Sequence, residues 1–175
     1  MSEYPLLVMR GITKSFPGVR ALDNLNFDLK SGEVHGILGE NGAGKSTLIK
    51  VLGGIYHPEQ GEILINGKNA QIGNVMDAKK QGISIIHQEL MLIPHMSVAQ
   101  NVYLTREPKN RYGRIDVGKM NQDTQLILDT LGSSIKADTL AGKLSIAQQQ
   151  QVEIAKALSL NAKILVMDEP TSSLT

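Results

Sequence analysis

Residues Gly39 to Ser46 read GENGAGKS, a stretch that satisfies GxxxxGK[ST] and constrains the chain more than any other. Three glycines, a lysine and a hydroxyl stand between two apolar runs, with Val34, Ile37 and Leu38 before them and Leu48, Ile49, Val51 and Leu52 after. The first run is short and branched, as in a buried strand, and the spacing of the second fits a helix, so the pattern predicts strand, loop, helix. Glycines let successive backbone N–H groups curl around an anion where a Cβ would block close approach. A helix beginning near Gly44 adds unpaired N–H groups and the positive end of its dipole. Lys45 supplies a mobile charge for β and γ phosphates, and Ser46 an oxygen ligand for Mg²⁺. A glycine-rich turn would match this pattern by accident in on the order of one in a hundred such chains. The similar string GEILINGK, Gly61 to Lys68, is not a second loop of this kind: it has one residue too many between its glycines, and Asn69 follows where a hydroxyl is needed.

At 175 residues the chain is long enough for one domain with a real core, or for part of a larger one. Its 18 basic and 17 acidic residues leave a formal charge of +1, so no global field points to nucleic acid or to an acidic membrane surface. The absence of cysteine excludes disulfides and thiolate metal sites. The opening MSEYPLLVMR lacks the basic region and long apolar core of a signal peptide. No apolar stretch approaches the roughly 20 residues that cross a bilayer, so work at a membrane would require a partner.

Along the chain, residues 1–33 read as strands joined by turns: Leu6 to Met9, the turn at Phe16 to Gly18, then the alternation Leu25, Phe27, Leu29. ILINGK at Ile63 to Lys68 predicts a strand entering an Asn-Gly hairpin turn. Ile83 to Ile86 is a buried-strand candidate, and from Ser97 the texture becomes helical. Val117, Met120, Thr124, Ile127, Leu128 and Leu131 recur at helical spacing until Gly132 ends the run, and Val152, Ala155 and Leu158 make a second stripe. Ile164 to Met167 is a final apolar run. Strands alternating with helices predict an α/β core, with about 95–158 as a helical insertion.

Two further signals bear on chemistry. ILVMDEP, Ile164 to Pro170, reads as a buried strand delivering Asp168 to a sheet edge, where it holds the water shell of Mg²⁺, with Glu169 placed as a base for an attacking water. An apolar run followed by two acids is equally a strand leaving the core, and it is the pairing with the phosphate loop that favours the chemical reading. In KLSIAQQQQVEIAKAL, Lys143 to Leu158, Ser145 and Gln148 form a capping box that opens an amphipathic helix.

Together GENGAGKST, Gln88 after a buried strand, LSIAQQQ shortly before ILVMDEP, and the terminal TSSLT resemble the ATP-binding cassette ATPases over nearly the whole chain. The wording GENGAGKSTLIKVLGGIYHPEQGEI and IHQELMLIPHMSVAQNVYL is most similar to the monosaccharide importers, whose ATPase chains carry two cassettes in tandem. The resemblance implies a P-loop NTPase core with an antiparallel β subdomain and a helical insertion. It assigns 1–94 and 159–175 to core and β subdomain, and 95–158 to the helical subdomain. The chain then corresponds to the first cassette, ending before the switch histidine and the last core strands. By the same resemblance Phe16 stacks on adenine, and Gly39, Asn41, Gly42, Ala43, Gly44, Lys45, Ser46 and Thr47 hold the phosphates. Ser46, Gln88 and Asp168 serve Mg²⁺, partly through water. Glu169, Gln88 and Lys45 act in hydrolysis, and Ser145 contacts the nucleotide of a partner cassette.

ATP and Mg²⁺ are thus the implied ligands. A membrane permease, a second cassette and, indirectly, a sugar-binding protein are the implied partners, with no nucleic acid, and the place of work is the cytoplasmic side of the membrane. Ile146 and Ala147 depart from the widespread LSGGQ form by standing at its glycines, and Thr175 stands where aspartate is usual. The fragment itself is expected to bind nucleotide without turnover. The alternatives are a soluble cassette ATPase of DNA repair or translation, which a salt-sensitive nucleic-acid complex would reveal, and another P-loop enzyme such as a kinase or GTPase, against which the signature helix speaks. His35, His57, His87 and His95 share no arrangement that suggests a site.

Overall fold

The computed structural model describes residues 5–86 and 90–168. The chain forms two compact units, Met1–Ile83 and Ser84–Thr175.

The first unit is built on a hairpin of β1 (Leu7–Phe16) and β2 (Val19–Leu29), followed by α1 (Lys45–Leu52), β3 (Gln60–Ile65), β4 (Lys68–Asn69) and α2 (Val75–Lys80). The four strands make one antiparallel sheet in the order β2-β1-β3-β4. Register explains its buried face: Leu7 pairs with Ile65 and Met9 with Ile63, and all four are at least 94 % buried, together with Ile12 and Leu22. Each such aliphatic contributes about 1.5–3 kcal/mol by leaving water. The Asn-Gly turn forms as expected, with Asn66 and Gly67 both at positive φ (50° and 73°), the geometry whose twist matches antiparallel strands.

The apolar run before the phosphate loop does not become the expected strand. Residues 33–40 lie outside any strand, Val34 and Leu38 are almost fully exposed at 99 % and 96 %, and Ile37 is exposed too. A strand is stabilised by its neighbours through ladder hydrogen bonds and burial of its faces, and no described strand pairs with this segment.

The second unit holds β5 (Ile83–Ile86), which begins at the division, and β6 (Ile164–Met167), paired as a two-stranded sheet. Between them come α3 (Val98–Val102), α4 (Val117–Thr130), a 3-10 turn at Ala141–Lys143 and α5 (Ile146–Leu158). Val98 and Val102 of α3, Leu128 of α4, and Val152 and Ala155 of α5 meet around Ile135 in one core. Met120, Thr124 and Leu128 recur every fourth residue, so they share one buried helix face. Val117 and Leu158, at the outer ends of the two predicted stripes, are exposed instead. Among the described residues no helix is long and apolar enough to cross a membrane.

Candidate functional site: a phosphate loop and a capped helix

The phosphate loop is shaped by two glycines that no other residue replaces without strain. Gly42 and Gly44 sit at φ 87° and 88°, in the left-handed region that side chains rarely adopt. At Gly44 a Cβ would also lie 2.4 Å from the Ala21 carbonyl oxygen and 3.0 Å from Leu22, so the loop is held against β2 at a distance only a bare Cα permits. Gly42 has open space around it. Ala43 donates its N–H to the Glu40 carbonyl at 3.1 Å, closing the turn that leads into the helix.

Helix α1 starts at Lys45 with Gly44 as its N-cap, and no side chain caps its first turn. Nor is there an acidic residue in that turn to neutralise the positive end of the dipole. The helix is fixed from below by Leu48, Ile49, Val51 and Leu52, all buried. The Lys45 ammonium donates to the Gly39 carbonyl at 2.7 Å and the Glu40 carbonyl at 2.9 Å, drawing the two ends of the loop together. Asn41 and Ser46 are exposed and Thr47 is partly so, at the open side of the turn. The result is a glycine-rich turn with an ammonium at its side, leading into a helix N-terminus, a set of donors that suits a polyanion with several oxygens.

Phe16 belongs to the same unit, as the last residue of β1 before the turn into β2. It is partly buried, and its ring meets Tyr56 edge to face, with centroids 5.1 Å apart at 68°. The Lys14 ammonium lies 5.6 Å from the centre of the Phe16 ring.

In the second unit the predicted capping box is present in full. Ser145 accepts the Gln148 N–H through its hydroxyl at 3.3 Å, and Gln148 returns the bond by accepting the Ser145 N–H at 3.0 Å. Ser145, Ile146 and Ala147 are exposed, so the start of α5 faces outward. Asp168 follows β6 and donates its N–H to the Ile86 carbonyl at 3.1 Å, which extends the pairing of β5 and β6 by one rung. Gln88, Glu169 and Thr175, and His87 with them, lie outside the described residues.

The chain matches the ABC transporter family over residues 22–172. It belongs to that family. Among curated relatives, a ribose/galactose/methyl galactoside import ATP-binding protein of Agrobacterium fabrum is 55 % identical over 170 residues, 97 % of this chain and 34 % of its own length. A protein of the same description from Burkholderia ambifaria is 55 % identical over 97 % of the chain and 33 % of its own. The chain therefore spans about a third of the length of the curated relatives it matches. Among solved structures, cbiO1 from Clostridium perfringens, described as part of the ABC transporter complex cbiONQ, superposes with a TM-score of 0.82 at 30 % identity, over 99 % of this chain and 68 % of its own. The ADP conformation of MJ1267, an ATP-binding cassette of an ABC transporter, gives 0.84 at 28 % identity over 98 % and 71 %. These matches support the cassette fold, with an antiparallel β subdomain, that the motifs imply.

Three side chains of the cassette that sequence reasoning passed over prove to organise it. Asn101, 1 % exposed, accepts the Ile93 N–H at 2.7 Å and donates to the carbonyls of Ile93, Ser97 and, at 3.4 Å, Met96. Glu153 of α5 accepts the Met91 N–H at 3.0 Å and pairs with Lys156 at 3.7 Å. The segment just past Gln88 in sequence is thus tied to α3 and to the helix that Ser145 opens. Tyr56, beside Phe16, is the third. None belongs to a short motif, and Asn101 and Tyr56 sit in the importer-like wording without any spacing signal of their own.

Proposed function

We propose that this cassette is the nucleotide-binding part of an ATPase that drives monosaccharide import through a membrane permease. The observation that carries the reading is the loop itself: Gly42 and Gly44 at positive φ, Lys45 at its mouth and an uncapped α1 beneath, in a chain 55 % identical to import ATP-binding proteins. Gly42 and Gly44, at positive φ, let the main-chain N–H groups of the loop turn toward one anion, which fits a triphosphate. The N–H groups of residues 44–47 and the Lys45 ammonium bind and orient the β and γ phosphates, and Phe16 offers a ring for adenine to stack on. Ser46, Gln88 and Asp168 would hold Mg²⁺, which when bound supplies neutralising charge for the phosphate oxygens. Glu169 would orient the attacking water. Catalysis of this kind is mainly positioning and electrostatic stabilisation of the transferring group.

In the same reading two cassettes face each other, and the outward start of α5 at Ser145 contacts the nucleotide held by the partner's loop. Ile146 and Ala147 bring side chains to that surface where the usual signature has glycines. Turnover then belongs to the paired cassettes, at the cytoplasmic face of the membrane, and the isolated 175-residue chain binds nucleotide without steady hydrolysis. Titration calorimetry tests this directly. The expected result is magnesium-dependent binding of ATP that Lys45→Ala weakens at least about tenfold, the loss of one charge-assisted contact. No binding by well-folded protein, or steady phosphate release that Lys45→Ala abolishes, would refute it.

A further inference from the structure

Tyr56 has no part in the phosphate loop, yet it is built into both of the elements that would hold the two ends of a nucleotide. Its N–H and that of Ile55 both donate to the Lys50 carbonyl, at 3.1 and 2.9 Å, so its backbone closes the C-terminal end of α1, the helix that begins at Lys45. Its ring meets Phe16 at 5.1 Å. Two bonds from Glu59 secure the same short connection to the end of β1: the Glu59 N–H donates to the Thr13 carbonyl at 2.8 Å, and its carboxylate accepts the Ser15 N–H at 3.0 Å. The carboxylate also lies 3.9 Å from Lys14, whose ammonium stands by the Phe16 ring. Lys50 stands in the same way 5.5 Å from the centre of the Tyr56 ring. A partly buried Phe at a hairpin end has two free torsions. Here an edge-to-face neighbour and a cation restrict them.

We infer that Tyr56 is a positioning residue for the base: it fixes the Phe16 ring relative to the helix carrying Lys45, and so sets how well an adenine can stack while the phosphates lie in the loop. The inference rests on the nucleotide reading above and adds to it a residue that touches neither phosphate nor base. Phe16 is the platform, Tyr56 its brace, and the aromatic ring of Tyr56 is the part that matters.

The experiment compares two ligands, MgATP and magnesium tripolyphosphate, on wild type, Tyr56→Leu and Tyr56→Phe by titration calorimetry. Tyr56→Leu removes the ring and is expected to weaken MgATP binding about 2- to 12-fold, the range that an edge-to-face pair corresponds to. Tripolyphosphate, which has no base, is expected to bind unchanged. Tyr56→Phe keeps the ring and should restore ATP affinity to within about twofold of wild type. Equal losses for both ligands would show that Tyr56 only supports the fold of the loop, and no loss for ATP would show that Phe16 needs no brace; either result overturns the inference. Wild type binding neither ligand would instead sink the nucleotide reading on which it stands.

Discussion

Gly42 and Gly44 allow a paired test of how the phosphate loop is held, because their φ values are 87° and 88° and only their surroundings differ. An alanine at either position places a Cβ in left-handed backbone, which costs about 1–2 kcal/mol. At Gly42 that is the whole effect, since nothing lies within 4 Å of the added carbon. At Gly44 the carbon would stand 2.4 Å from the Ala21 carbonyl oxygen, a backbone atom of β2 that cannot rotate away, and 3.0 Å from Leu22, which is buried. Overpacking of that kind adds about 1–3 kcal/mol. Gly44→Ala is therefore expected to lose about 2–5 kcal/mol and Gly42→Ala about 1–2 kcal/mol. Urea unfolding followed by a probe in the first unit measures both, with the slope compared between variants to establish that the same surface unfolds. The same proteins titrated with MgATP should show the larger loss for Gly44→Ala, since relief of the clash pushes the start of α1 away from β2. The reasoning fails if Gly42→Ala is as destabilising as Gly44→Ala, because the close approach to β2 would then count for nothing.

Two further outcomes concern the second unit. Glu153→Ala should raise the hydrogen-exchange rate of the Met91 amide while leaving the α5 amides protected, and Glu153→Gln, which keeps an acceptor, should retain most of the protection; an unchanged Met91 rate in both would mean that the 3.0 Å bond is not maintained in solution. Tyr103, partly buried against α4, has its phenol pKa raised by burial first and by the Asp123 carboxylate second. A raised folded-state pKa means stability that is complete below the unfolded value of about 10 and is lost as pH climbs through the folded value. Unfolding free energy should therefore fall above about pH 10 in wild type and fall less in Tyr103→Phe. Parallel decline in the two proteins would refute the assignment.

What could be read from the sequence follows how local each feature is. The Asn66-Gly67 turn, the Ser145 and Gln148 capping box and the Met120, Thr124, Leu128 face depend on residues a few positions apart, so their geometry is encoded where it occurs. The GENGAGKS loop is legible for the same reason, but its pattern does not tell Gly42 and Gly44, which take positive φ, from Gly39, which does not. Val34 to Leu38 marks the opposite case. Its composition is that of a buried strand, yet composition states only a preference for neighbours, and the described residues provide none. Asn101 and Glu153 were opaque because their partners are backbone groups, which no side-chain pattern marks, in the case of Glu153 and Met91 across 62 residues. Tyr56 was opaque because an aromatic near a Pro-Glu turn is unremarkable until β1 brings Phe16 alongside.

The grip of Lys45 on the carbonyls of Gly39 and Glu40 has a kinetic corollary. A long amine normally samples many rotamers, and arresting it costs up to about 2 kcal/mol. Here that arrest happens as the chain folds, with the curvature of the surrounding backbone secured by the same two contacts. An arriving polyanion needs only to draw the ammonium across a short distance, so capture should proceed at a rate set by encounter and charge instead of by slow rearrangement of the cradle.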